Sequence, residues 1–240
     1  MPKSFLSWST GKDAGYLLLK LLEAGDKPDL LITTVNKDFG RVSMHGLRVE
    51  LLQKQADSIG IELLQIPLSE NTSMAEYNRT MHQVLARLKE EGFSRGFFGD
   101  IFLEDLKKYR EEQMAKHGMK AEFPLWGNDT RELAMEIIDY EIEAVVVAAN
   151  AKYLDKSYVG REFDRRFLCD LPSDVDWCGE NGEFHTFVYQ APYFNYPIEF
   201  KKGEKVYREF KPCSKEDSTA FGKHNRKTNW DTGFWYIDLI

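Results

Sequence analysis

The sequence predicts an α/β protein with a doubly wound, mostly parallel sheet of five to six strands and a smaller, irregular α+β segment at its C-terminal end. Three observations carry that prediction. Short apolar runs alternate with stretches of helical periodicity from residue 5 to residue 149. The runs, such as DLLITTV at 29–35 and AVVVAA at 144–149, are apolar almost throughout, as strands buried on both faces are. Beyond residue 150 the alternation stops and Gly and Pro recur among aromatics.

Phe5-Leu6-Ser7-Trp8 reads as a short buried strand, and Leu17, Leu18, Leu21 and Leu22 then recur at helical spacing up to Gly25, a C-cap. Residues 29–35 give the second strand and 62–68 (ELLQIPL) the third; between them 47–59 is helical, with apolar positions near 47, 51, 52, 56 and 59. Met74, Tyr77, Met81, Leu85 and Leu88 step by three and four, so 73–91 is an amphipathic helix whose stripe reads as core rather than as a cofactor box. Strand four is 95–99 (RGFFG), a charged helix covers 104–117, strand five is 120–123, a further helix spans 129–140, and 144–149 closes the series. Right-handed crossovers between parallel neighbours put helices on both faces. In the remainder a short helix is expected at 161–169, with strands at 184–190 and 205–210 forming a small sheet or ribbon, and the division between the two parts falls at residue 152.

The 240 residues are 42% hydrophobic and 30% charged, which sets aside disordered and collagen-like chains. Lys and Arg number 32 against 39 Asp and Glu, and a net charge of −7 disfavours bulk nucleic-acid binding. Residues 201–240 run the other way, with nine Lys/Arg against six Asp/Glu. That excess keeps tRNA as a weak alternative partner, although a solvated basic surface is the plainer reading. Cys169, Cys178 and Cys213 form no CxxC and no zinc spacing with the five histidines, so a reducing compartment fits best. The N-terminus shows no signal-peptide apolar region, and no apolar run approaches the ~20 residues of a membrane span. No membrane partner and a cytoplasmic location are therefore expected.

In open parallel sheets ligands sit at the carboxyl ends of strands, and the first strand runs straight into Ser9-Thr10-Gly11-Lys12-Asp13-Ala14. Gly11 allows close backbone approach, the hydroxyls of Ser9 and Thr10 can donate, Lys12 brings a cation, and the helix N-terminus offers free N–H groups. These terms suit phosphate, while a tight βα turn capped by Ser9 or Asp13 uses the same residues. The run is neither Walker A nor GxGxxG.

The same six residues resemble the PP-loop, SGGxDS, of ATP pyrophosphatases, with Thr10 where that family prefers Gly and Ala14 where it prefers Ser. Further segments resemble the diphthine-ammonia ligase family in the same order along nearly the whole chain. They are Ser43-Met44-His45 after the second strand, Gly99-Asp100-Ile101, Arg110 with Glu112, Pro124-Leu125-Trp126-Gly127, and Gly160-Arg161 with Asp164. The run GENGEFHTFV at 179–188, followed by Ala191-Pro192-Tyr193-Phe194, is similar to that family's GEGGEYETxVxDxPxF signature. There Asn181 replaces a Gly, His185 a Glu and Gln190 an Asp. The last thirty residues resemble nothing placed.

The resemblance implies a Rossmann-like, adenine nucleotide alpha hydrolase-like fold with ATP and Mg2+ as cofactors. The implied reaction is AMP-forming: a carboxylate attacks the α-phosphorus, pyrophosphate leaves from the loop, and ammonia displaces AMP to give an amide. The implied acceptor is diphthine, the modified histidine of elongation factor 2. Residues 1–152 would bind nucleotide through Ser9, Thr10, Gly11, Lys12, Asp13, Ala14, His45, Gly99 and Asp100, with Asp13 orienting the metal. Residues 153–240 would recognise the acceptor through Gly179, Glu180, Gly182, Glu183 and Thr186, joined by Trp126 and Gly127 from the first part. Lys12, Asp13, Glu180 and Glu183 carry the catalytic expectation, the two glutamates positioning ammonia or an ammonium and one of them accepting its proton. Simpler readings stand beside these: helix caps for Asp13, Asp100 and His45, and a core or hinge aromatic for Trp126. Arg110 and Glu112, too close in sequence to share a helix face, rank lower.

A nucleotide-binding sensor in which Thr10 and Ala14 have weakened turnover is the alternative from another class. A PP-loop enzyme acting on a tRNA base is a further one. The aromatic run 230–240 either closes over the site or packs on a second subunit, making a homodimer.

Overall fold

The computed structural model describes residues 2–209 and 233–240. The end of the strand expected at 205–210 and the start of the run 230–240 lie outside the described residues. In chain order the elements are β1 (Lys3–Ser7), α1 (Lys12–Glu23), β2 (Leu30–Asn36), β3 (Arg41–Val42), α2 (Val49–Ile59), β4 (Glu62–Leu68), α3 (Met74–Glu90) and β5 (Phe93–Phe97). There follow α4 (Glu104–Ala115), β6 (Lys120–Glu122), α5 (Thr130–Asp139), β7 (Glu143–Asn150), α6 (Arg165–Cys169), β8 (Phe184–Gln190), β9 (Lys202–Glu209) and β10 (Gly233–Leu239).

The first sheet has six strands. β4, β2, β1, β5 and β6 lie side by side and parallel, and the two-residue β3 is antiparallel to the end of β2. Alternation along its strands sorts their side chains onto two faces. Phe5, Leu30 and Ile32 pack with Leu85 and Leu88 of α3 and Met114 of α4. Leu6 and Leu31 face the other way, toward Leu17 and Leu18 of α1, Leu52 and Ala56 of α2 and Ile137 of α5. This is the doubly wound arrangement that the alternation predicted.

β7 departs from the expectation. Rather than closing the parallel series it lies inside a second, antiparallel sheet of order β8-β7-β10-β9. Its residues 144–150 are all buried, which is why its sequence matches that of a parallel strand. The strands predicted at 184–190 and 205–210 are in this sheet but are not neighbours, and residues 233–239 form an interior strand between β7 and β9. The two sheets share one apolar core through α1, whose Ala14, Gly15, Tyr16, Leu17, Leu18, Leu19 and Leu21 are all buried. The stacking order is therefore α3 and α4, first sheet, α1, second sheet. The loop that opens α1 lies between the two halves of the molecule.

Candidate functional site

The loop after β1 is held from both sides. Thr10 sits in the left-handed backbone region with φ +72°, and its carbonyl accepts from Val188 N at 3.0 Å and from Gln55 Nε2 at 3.1 Å. Gln55, fully buried on α2, also accepts from Trp8 Nε1 at 2.9 Å and donates to the Val188 carbonyl at 2.6 Å. Gly11 is the N-cap of α1 and has no side-chain cap. Lys12 N donates to Thr186 Oγ1 at 3.1 Å, so β8 of the second sheet completes the turn. The next amides, of Asp13 and Ala14, belong to the helix N-terminus, where helical geometry supplies no intrahelical acceptor. A Cβ on Gly11 would stand 3.3 Å from His45 Nε2 and 3.3 Å from the Thr186 carbonyl.

Lys12 is buried beneath this turn. Its ammonium bonds both oxygens of Asp13 at 2.9 Å and the Cys178 carbonyl at 2.5 Å, and lies 5.3 Å from the ring centres of Phe163 and Phe184. Burial works to lower its pKa, but Asp13 and the neighbouring groups hold it above the ordinary lysine value. Here the charge ties the loop to residues 176–180 of the second half.

The acidic residues divide by role. Glu183 is buried, and its Oε1 accepts from Asp176 N at 3.1 Å and Asn181 Nδ2 at 3.0 Å, so it braces its own turn. Gly179 and Gly182 at φ +69° and +83° make that turn possible. Glu180 reaches the other way and accepts from Ile101 N at 2.7 Å. Burial pushes its pKa up to about 7, with the Ile101 amide opposing and the carboxylates of Asp13 and Asp100 adding to the rise. Asp100 is buried against Arg110, whose Nε lies 2.7 Å from its Oδ2. Gly99 packs 3.5 Å from Ala14 N by its virtual Cβ, and Gly127 N donates to the Ile101 carbonyl at 2.8 Å. Trp126, half-buried, stacks edge-on against Phe123 with Lys107 Nζ 4.2 Å from its ring centre.

Beside the loop a cavity of about 240 Å3 opens between the first sheet and helices α3 and α4. Trp8, Ser9, Thr33, Thr34 and Ser43 through His45 line its rim, and Tyr77, Met81, Tyr109, Arg110 and Met114 its wall. The stripe on α3 is thus part core and part cavity: Leu85 and Leu88 are buried, whereas Tyr77 and Met81 face the opening. Arg110, ranked low from its sequence, lines this cavity and neutralises Asp100. Gln55 and Asp176 were not singled out by sequence reasoning. A glutamine in a helix and an aspartate in a polar loop carry no signal of what lies across from them.

These features define an α/β protein with a doubly wound sheet, in which a glycine-bearing loop at a helix N-terminus lies between an apolar-walled cleft and an acidic turn. The model of the diphthamide synthase N-terminal domain matches residues 2–121 and that of the diphthamide synthase C-terminal domain residues 129–216, so the chain belongs to the diphthamide synthase family. Among curated relatives, diphthine–ammonia ligase of Bos taurus is 23% identical over 220 residues, covering 82% of each chain. That of Danio rerio is 26% identical over 222 residues, covering 82% of this chain and 86% of its own. A predicted subunit of tRNA methyltransferase from Methanocaldococcus jannaschii superposes with a TM-score of 0.44 at 17% identity, over 80% of this chain and 98% of that one. Among the described residues no helix is long and apolar enough to cross a membrane.

Proposed function

We propose that the protein is an ATP-dependent, AMP-forming ligase that adenylates a carboxylate and passes ammonia to it, with diphthine on elongation factor 2 as the acceptor. The observation that carries this reading is the placement of the 9–14 loop, with an aromatic-walled cleft on one side and Glu180, Asp100 and Asp13 on the other. The adenosine would occupy the cleft against Tyr77, Met81 and Tyr109. The phosphates would meet Ser9 and the helix N-terminal amides, where oriented N–H groups stabilise charge that builds up as pyrophosphate departs. The adenosine and loop contacts then precede residue 152, while the acceptor turn at 179–183 lies in the 153–240 segment.

Mg2+ fits this donor set. The side chain of Asp13 keeps 27% of its surface exposed, so its carboxylate, although paired with Lys12, is open to a hard cation on its free side. Among the described residues no three His, Cys, Asp or Glu converge to hold a metal alone, which agrees with a metal completed by substrate phosphates. Glu180 is the group suited to accept a proton from attacking ammonia, because a carboxylate with a pKa near 7 is poised between its two forms at neutral pH.

The test is calorimetric titration of Mg·ATP and AMP, followed by a product assay with diphthine-bearing elongation factor and ammonium. AMP and pyrophosphate should appear together. Tyr77→Ala should weaken AMP by about tenfold, equivalent to about 1.4 kcal/mol. ADP as product, or no nucleotide binding by the wild type, would overturn the reading.

A further inference from the structure

His45, from the loop after β3, and His185, from β8, lie with ring centres 4.6 Å apart and planes tilted by 38°. On its other side His185 is stacked by Phe234 of β10 at 6.4 Å and 11°. His45 Nε2 lies on the side-chain side of Gly11, where an added Cβ would come within 3.3 Å of it, in the proposed phosphate loop. His185 Nε2 is buried and has no hydrogen-bond partner among the described residues. A buried ring nitrogen without a partner costs free energy, so a ligand that supplies one is favoured there.

Among the described residues, the charged and titratable groups facing the pair are the two rings themselves, Lys12 of α1 and, on β10, Tyr236, whose hydroxyl donates to the Met44 carbonyl. Phe234 and Thr186 bring no charge. Arg41 and Arg48, on neighbouring elements, are engaged by Asp238, and Arg110 in the adjoining cleft by Asp100. The ammonium of Lys12 is already matched by Asp13. Without a ligand, a second cation at this spot would be buried with no carboxylate among the described residues to compensate it, and burial lowers the pKa of both imidazoles toward the neutral form. A bound polyphosphate reverses that balance, because its oxygens accept from ring N–H groups and its charge favours the imidazolium form.

We propose that His185 is a second phosphate-binding side chain, and that with His45 it forms an imidazole pair which takes up a proton from solvent when the polyphosphate of ATP, or pyrophosphate, binds. The proposal rests on the nucleotide reading of the 9–14 loop. It adds a residue to that site and a proton to its binding equilibrium. The pair gives the departing pyrophosphate a counter-charge that is absent from the empty site.

The experiment titrates inorganic pyrophosphate and Mg·ATP into the wild type and into His185→Asn and His45→Asn, in buffers of differing ionisation enthalpy at about neutral pH. Protons taken up in excess of those seen with the variants, with pyrophosphate at least tenfold weaker in His185→Asn, support the proposal. In parallel, imidazole C–H resonances of the wild type are followed during the titration, a readout that does not depend on any variant folding. Two of the five histidines should move to imidazolium positions. Tight binding with equal proton uptake in all three proteins, or with unmoved imidazole resonances, overturns the role of the pair and leaves the ligase reading standing. Absence of both pyrophosphate and ATP binding in the wild type overturns the two together.

Discussion

Glu180 carries the clearest titration signature of the acidic turn. Burial, offset by the Ile101 amide and reinforced by Asp13 and Asp100, raises its pKa from 4.5 to about 7. Between those values the folded protein holds a proton that the unfolded chain has released, so stability is greatest below pH 4.5 as far as this group is concerned. It falls as pH rises through the window to about 7. Glu180→Gln removes the titration while keeping an oxygen for Ile101. Denaturant unfolding from acid to neutral pH should show a flatter profile for the variant, which should be more stable than wild type above neutrality by roughly 1–3 kcal/mol. An unchanged slope would mean that the carboxyl is solvated in solution. The acid was visible in the sequence because paired carboxylates in a glycine-rich turn attract notice, but the division of labour between Glu180 and Glu183 was not. Two side chains three residues apart can point in opposite directions, and only the fold decides which meets Ile101. Lys12 gives the same lesson: its place in the loop was legible, whereas its bond to the Cys178 carbonyl, 166 residues away in the chain, was not.

Elements were legible where local periodicity and burial coincide. Both faces of the first sheet are covered at its centre, so β1 and β2 are largely buried and α1 and α2 keep their apolar stripes. The same logic explains the misplacement of β7, since an apolar run reports burial on both faces and says nothing of a strand's partners. β3 has two residues, below the length at which alternation can be seen. The sequence leaves the run 230–240 between closing over the site and packing on a second subunit, because the partners of β10 are β7 and β9 and no local signal announces them. Within β5, Gly96 shows how tightly the elements of the first sheet are fitted. A Cβ there would fall 2.5 Å from Phe5 Cζ and 2.8 Å from Met114 Cε, wedging β1 and α4 away from β5. Gly96→Ala should therefore destabilise by about 1–3 kcal/mol despite the usual strand preference for alanine over glycine. A thermal midpoint equal to wild type would show that Phe5 and Met114 can move aside.

At the scale of the molecule, the site works only if its two sheets stay in register, because the loop belongs to one and Thr186, His185 and Glu180 to the other. Beyond the loop's own bonds to Val188, Thr186 and Cys178, two ties set that register. One is the buried core around α1, and the other is Asp238 on β10, which bonds Arg41 Nη1 and Arg48 Nη2 at 2.6 Å each from the edge of the first sheet. Bonding by Arg48, opposed by partial burial and reinforced by Arg41, lowers the pKa of Asp238 from 3.8 to about 2. A depressed carboxyl contributes stability that is present above 3.8 and is lost as pH falls through about 2. Asp238→Asn keeps the shape and removes the charge. Its arginine partners are partly exposed, so the cost at neutral pH should be held to about 1 kcal/mol by solvent screening. The larger effect should be on coupling. His45 lies between Arg41 and Arg48 in the chain, and the loop that carries it is anchored to β10 through those two arginines. Loosening the clamp should weaken Mg·ATP by more than it lowers the unfolding midpoint, and the wild-type loss of stability in acid should be shallower in the variant. If nucleotide affinity and acid sensitivity both match the wild type, the core around α1 and the loop's own bonds hold the two sheets together and the clamp is a surface ion pair.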